Sequence, residues 1–439
     1  MNRRWFLAVA SMAGSVARSQ SEPQLKAGTD RVDITPPLGI QMAGYNSTGR
    51  PATGVLDPLY AQALVLDDGR HSIALVTLDL IFTLLDPEMD AIRARVRQSS
   101  GIEDVIFVAS HTHSGPIFMN QPEWNRKAVD LVASAIDRAF QKRVAARVGS
   151  GWGQSQIGAN RRYQPVEGPE VMFWRNATKS PTFPVDPTVG VIRVDRADGT
   201  PLAVLVSYAC HPVIFGPDNR DYSADYPGEM RKTVEAAFPG STCFFLQGGC
   251  GDINPYYDKT PLIEEGLRHM RETGRALGEE VNRVVRTITT RAAASPEIGL
   301  SVRKIQFDWR WDRAQTEKLF AAQPASQMGA RPLARYPLWG DPPKLPVTTL
   351  VINRELAFVG MPAEPFVEFQ MYLRAQSPLP ATFFLGYCNG NINYVPTIHA
   401  ATRGGYGADN TITRVEVGAG EEMIHRGLVD IYRLIGKMK

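Results

Sequence analysis

Short apolar runs that end in turn-forming residues alternate along this chain with longer stretches of helical periodicity, and that alternation restricts it to an α/β arrangement. Buried strands are expected at Ala61 to Leu66, Ser72 to Leu80, Val105 to Ala109, Leu202 to Tyr208, Cys243 to Leu246, Thr348 to Ile352, Leu356 to Val359 and Thr382 to Leu385. Helices are expected at Pro87 to Arg97, Arg126 to Arg138, Gly228 to Ala237, Ile263 to Val285, Glu364 to Ala375 and Glu421 to Ile435. The fold class that follows is α/β, with mixed sheets covered by helices. With 439 residues and 44% hydrophobic content, the chain can bury a large core. No repeat, low-complexity tract or charge block breaks it from about Lys26 to Lys439. A weak boundary near Ala294 to Leu300 does not separate the chemistry, because candidate residues lie on both sides. The Pro- and Gly-rich segments Gly151 to Pro187 and Pro324 to Pro346 exceed ordinary connections and are expected to wall a site.

The first residues, Met1-Asn-Arg-Arg-Trp-Phe-Leu-Ala, place an arginine pair before a short apolar run, and Ser15-Val16-Ala17 supplies the small residues of a cleavage step. Residues 1–24 are expected to be a twin-arginine-type signal peptide and linker, leaving a periplasmic or extracellular domain over 25–439. No later stretch reaches about eighteen uninterrupted apolar residues, so the mature chain is expected to have no transmembrane segment. The net charge of +3 falls by two when Arg3 and Arg4 leave with the leader, which argues against nucleic acid as a partner. A small-molecule substrate fits better. Cys210, Cys243, Cys250 and Cys388 are too scattered for a disulfide framework and read as buried free thiols.

The segment Val108-Ala-Ser-His-Thr-His-Ser-Gly-Pro116 sets His111 and His113 at the end of an apolar strand. In an extended backbone residues i and i+2 face one way, and paired imidazoles suit zinc. His211 follows a second strand-like run just before Pro212 and offers a third nitrogen. Glu364, between two prolines, offers an oxygen or instead complements the start of the helix it opens. Tyr394 and Tyr406 sit in Gly- and Asn-rich loops. The run Gln247-Gly-Gly-Cys-Gly-Asp-Ile-Asn-Pro255 lacks the Lys-Ser/Thr of a phosphate loop and the spacing of a dinucleotide fingerprint, so it reads as a site wall. Backbone at Gly248 and Gly249 is expected to approach a ligand, and Asp252 to bond to backbone or to support a ligand histidine. No Gly-x-Ser-x-Gly elbow exists, which leaves a serine triad without support.

Taken in order, Gly28-Thr-Asp-Arg-Val-Asp-Ile-Thr-Pro36, Ser110-His-Thr-His-Ser-Gly-Pro116, Asn160-Arg161, Gly251-Asp252 and Pro362-Ala-Glu364 resemble the motifs of the neutral, non-lysosomal ceramidases. The resemblance runs from about Lys26 to the end of the chain. It implies that His111, His211, Glu364 and Tyr394 bind one zinc per chain, while His113, Arg161 and Tyr406 face the scissile amide. Two departures stand out: Asn254 replaces the Ser of the family's Gly-Asp-x-Ser-Pro, and the family's C-terminal immunoglobulin-like domain has no counterpart before Lys439. Both imply a smaller or more polar substrate than ceramide, with Asn254 facing it. The expected function is therefore an exported zinc-dependent hydrolase of a C–N bond. An ester or lactone hydrolase, a glycan-processing enzyme using Trp152, Trp174, Trp309 and Trp311 as a platform, and a metal-dependent binding protein are the alternatives.

Overall fold

The computed structural model describes residues 24–439 apart from 46–48, 120, 164, 166, 168–169, 313, 316, 319–340 and 410–411. The segment expected to be an export leader, except for its last position, and most of the Pro324 to Pro346 segment lie outside the described residues. Every apolar run singled out in the sequence is a strand. Four further strands, Lys26–Asp33, Val144–Gln154, Thr188–Arg196 and Ile298–Gln306, join them.

These strands group into three four-stranded units of one topology. Lys26–Asp33, Tyr60–Asp67 and Ser72–Leu78 pair antiparallel in chain order, and Asp104–Ala109 then joins parallel to the third. Val144–Gln154, Thr188–Arg196, Pro201–Tyr208 and Thr242–Gln247 repeat the pattern, as do Ile298–Gln306, Lys344–Ile352, Leu356–Gly360 and Ala381–Leu385. A parallel step cannot be closed by a tight turn. Each is accordingly crossed by a helix, Asp86–Ser100, Tyr226–Ala237 and Val367–Gln376 respectively. A second helix follows each fourth strand: Pro122–Gln141, Leu267–Thr287 and Ala419–Leu434. The first two units fuse where Ala27 pairs with Val144, giving an eight-stranded sheet, and the third keeps its own four-stranded sheet. The sequence carries no visible repeat, so its reading as repeat-free is corrected at the level of topology.

Helix ends differ from expectation in instructive ways. Pro122 occupies the first turn of the helix expected from Arg126, where its missing N–H costs nothing. The helix expected from Ile263 opens with a π turn, Leu262–Gly266, before regular α-helix. Glu364 opens no helix; the helix begins at Val367 and Glu364 belongs to a two-residue strand.

One apolar cluster ties the three units together, with Leu64, Ile106, Leu205 and Phe244 of the eight-stranded sheet packed with Leu350, Phe358 and Phe383 of the other. Burying one such side chain contributes roughly 1.5–3 kcal/mol. The three fourth strands end at one place. Ala109 N donates to Tyr387 O at 3.2 Å, Gly386 N to Gln247 O at 2.9 Å, and Gln247 Nε2 to Ser110 O at 2.9 Å. Carboxyl ends of parallel strands are where side chains from loops converge on a ligand. All four cysteines are buried free thiols. Among the described residues no helix is long and apolar enough to cross a membrane.

Candidate metal centre

His111 leaves the strand Asp104–Ala109 through a left-handed backbone, φ +68°, a conformation uncommon outside glycine. The expectation that His111 and His113 share one face of an extended segment is thus corrected. A left-handed residue followed by a turn, not strand alternation, swings the two rings together, with their Nε2 atoms 3.3 Å apart. The turn is held by His111 N donating to Leu80 O and His113 N to Pro212 O, at 2.9 and 3.3 Å. His211 arrives from the end of Pro201–Tyr208, its amide bonded to Ile253 O. The three histidines place their ligand nitrogens within 4.8 Å of one another.

Glu364 and Tyr394 come together through register. Glu364–Pro365 pairs in parallel with Tyr394–Val395, Glu364 directly opposite Tyr394. Register partners in neighbouring strands put their side chains side by side. Glu364 Oε1 then lies 2.8 Å from His211 Nε2 and 3.3 Å from His111 Nε2, and the Tyr394 phenol bonds to the same carboxylate.

The donor set calls for a cation. His111 Nδ1 faces Ile81 O at 2.7 Å and His211 Nδ1 faces Ile253 O at 3.0 Å. A carbonyl only accepts, so both Nδ1 atoms carry the proton and both Nε2 atoms present lone pairs. Those lone pairs meet each other and a carboxylate oxygen, an arrangement that repels unless a positive charge sits among them. Carbonyls that fix the tautomer in this way are the usual support of metal-bound imidazole. Burial, with Arg161 next, pushes His211 down to about 4. Burial, then His111 and His211, holds His113 well below its usual value. Burial works to raise Glu364, and only positive charge at the His111 and His211 positions opposite, where a cation would sit, holds it well below the carboxylate range. Neutral imidazole and ionised carboxylate are the forms that bind zinc.

Arg161 closes the other side. Its Nη2 donates to Tyr394 Oη at 2.8 Å and Gly251 O at 2.6 Å, and its Nη1 to Asn254 Oδ1 at 3.2 Å. The rings of Trp174, Tyr406 and Tyr394 stand 5.0, 5.2 and 5.6 Å from its guanidinium carbon. Arg161 Nε and His113 Nδ1 are buried without a hydrogen-bond partner. Arg162 beside it pins the Tyr406 loop by donating to Tyr406 O, Gly404 O and Ala400 O.

Asn254 is buried, with Oδ1 taken by Arg161 and Nδ2 donated to Asp258 Oδ2 at 2.7 Å. Its side chain meets the site through Arg161. The glycines beside it serve packing. A Cβ on Gly249 would lie 2.8 Å from Phe366 O and one on Gly248 2.3 Å from Gln370 Oε1, and their amides donate to Gln370 Oε1 and Tyr208 O. Asp252 bonds to Val367 N and Asn160 Nδ2, so of its two expected roles the structure gives it the backbone one. Of the four tryptophans only Trp174 adjoins the site. Trp152 stacks on Phe383, while Trp309 and Trp311 meet Val415 and Thr413.

Two residues escaped the sequence reading. Gln247 Nε2 donates to Ser110 O and Cys210 O at 2.9 and 3.0 Å, the carbonyls directly before His111 and His211, and so spaces the two ligands. A buried polar residue ending an apolar strand was the available signal. Tyr387 stacks beneath His111 at 4.1 Å between centroids; nothing in its local sequence marks it.

A family model described as neutral/alkaline non-lysosomal ceramidase, N-terminal, matches residues 25–260. The crystal structure of neutral ceramidase from Pseudomonas aeruginosa is similar with a TM-score of 0.75 at 18% identity, over 94% of this chain and 75% of that one. A ceramidase complexed with C2 is similar with a TM-score of 0.73 at 17% identity, over 94% and 76%. At such identities the likeness to the solved structures is one of fold.

Proposed function

The chain belongs to the neutral/alkaline non-lysosomal ceramidase family, and from that premise we propose that it is an exported, zinc-dependent hydrolase of an amide bond in a substrate smaller or more polar than ceramide. The observation that carries the reading is the set of converging lone pairs on His111 Nε2, His211 Nε2 and Glu364 Oε1, each held by its own partners. These three and Tyr394 would hold one zinc per chain. Zinc bound there supplies a Lewis acid that acidifies water and polarises a carbonyl.

The protein groups complete the chemistry. His113, Arg161 and Tyr406 face the scissile carbonyl and stabilise charge on its oxygen as water adds; one such donor is worth roughly 3–4 kcal/mol. The C–N bond then breaks, the amine leaves with a proton, and a carboxylic acid remains. Asn254, where the family motif has Ser, sets the orientation of Arg161 and supports a change of substrate. Export rests on the arginine pair and small-residue site of the leader.

The experiment is metal analysis with a substrate panel. We expect about one zinc per chain, turnover abolished by a chelator and restored by zinc, and a higher kcat/KM for a short polar N-acyl compound than for long-chain ceramide. Full activity in metal-free protein removes the zinc reading. Ceramide as best substrate by a wide margin removes the substrate reading, and esters or lactones turning over faster than amides reassign the bond.

A further inference from the structure

Lys259 stands at the rim of this centre in a strained and fixed position. Its backbone is left-handed, φ +54°, and its amide donates to Val213 O, two residues past His211. A lysine gains nothing locally from that conformation, so the surrounding structure imposes it. Its Nζ donates to Asp258 Oδ2 at 2.6 Å, the same oxygen that accepts from Asn254, and Asp258 is buried. The ammonium lies 4.6 Å from the Trp174 ring and 5.9 Å from the Tyr45 ring.

Those two rings define where it points. Trp174 meets Tyr406 edge-on at 5.0 Å and lies against Arg161, whereas Tyr45 meets His113 edge-on at 5.0 Å. Lys259 therefore lies between the His113 side and the Arg161–Tyr406 side, the groups that face the substrate in the proposed reading. An ammonium has three N–H donors. Asp258 takes one, and among the described residues no other acceptor is recorded for Lys259. Its side chain keeps 35% of its surface exposed.

Resting on the proposed hydrolytic reading of the same site, we propose that Lys259 recognises a carboxylate carried close to the scissile amide, so that the substrate class is N-acyl amino acids. The aromatic walls lower the local dielectric and strengthen a charge-assisted bond there. A single ammonium partly committed to Asp258 matches a monoanion rather than a phosphate dianion. Arg161, engaged by Tyr394, Gly251 and Asn254, is directed inward and leaves this role to Lys259.

The test compares N-octanoylglycine with its uncharged counterpart N-octanoylglycinamide, binding being followed by tryptophan fluorescence and calorimetry so that turnover is not required. The wild type is expected to bind the carboxylate at least about tenfold more tightly, with a preference that weakens as salt rises. In Lys259→Met the preference should vanish, and in Lys259→Arg most of it should remain; the ratio of kcat/KM for the two compounds follows the same order. Equal binding of both probes by the wild type overturns the inference even if no variant can be purified. Equal loss for both probes in Lys259→Met also overturns it and leaves Lys259 as a counter-ion for Asp258. A lysine-dependent preference without hydrolysis of any amide sinks the proposed activity and leaves the recognition standing.

Discussion

His111 concentrates the physical tension of the site. A left-handed non-glycine residue costs of order 1–3 kcal/mol and persists only where its surroundings over-determine it. Here the amide bond to Leu80, the Nδ1 bond to Ile81 and the stack on Tyr387 do so. His113, two residues on, has an Nδ1 with no partner and sits within reach of the same centre. The two residues differ in support: His111 is held by a carbonyl to present a lone pair, whereas His113 Nδ1 has no such anchor, and in the proposed reading His113 works on substrate rather than on zinc. His113→Ala should lose about 100-fold or more in turnover while keeping its zinc, measured by metal analysis beside steady-state kinetics. Metal loss in that variant would instead favour a centre built from His111, His113 and His211.

At the scale of elements, the site depends on close approach between the loop after Thr242–Gln247 and the segment that carries Glu364. Gly249 meets Phe366 O and Gly251 meets Glu364 O at distances that exclude a Cβ. The glycine-rich run was expected to bring backbone to a ligand; the structure uses it to bring backbone to backbone, which in turn sets Glu364 opposite His211. Gly249→Ala should destabilise the protein by about 1–3 kcal/mol through overpacking and lower its zinc affinity. Chemical denaturation and metal titration read the two effects. A variant of wild-type stability with only KM altered would return Gly249 to the substrate wall.

Across the whole molecule, three units of one plan contribute unequally to one centre. The first supplies His111 and His113 after its fourth strand, the second His211 after its third, and the third Glu364 and Tyr394. The family match ends at residue 260, so two of the four proposed ligands come from beyond it. The cluster shared by both sheets makes the third unit part of the core rather than an appendage. A fragment of residues 25–290 should therefore fail to unfold cooperatively and should bind zinc weakly, because Leu205 and Phe244 would lose the partners they are buried against. Calorimetry showing a sharp transition in that fragment would mark the boundary near Ala294 as a true domain limit.

The sequence by itself determined the α/β class, the third and fourth strand of each unit and the histidines that end them. Those strands are buried on both faces and read as continuous apolar runs, which need no knowledge of the neighbours. Of the four longer strands that the sequence did not mark, three open their units, and one of these, Ile298–Gln306, alternates exposed and half-buried residues, a weaker local signal. Only the tertiary structure decided the left-handed turn at His111, the change of Glu364 from helix opener to strand partner of Tyr394, the packing role of Gly248 and Gly249, and the bridge made by Gln247. Each of these is a contact between residues far apart in the chain, Glu364 and His211 being 153 positions apart. Local pattern reports how a segment pairs with water and with itself, whereas register and close approach between distant strands place the lone pairs that make a site.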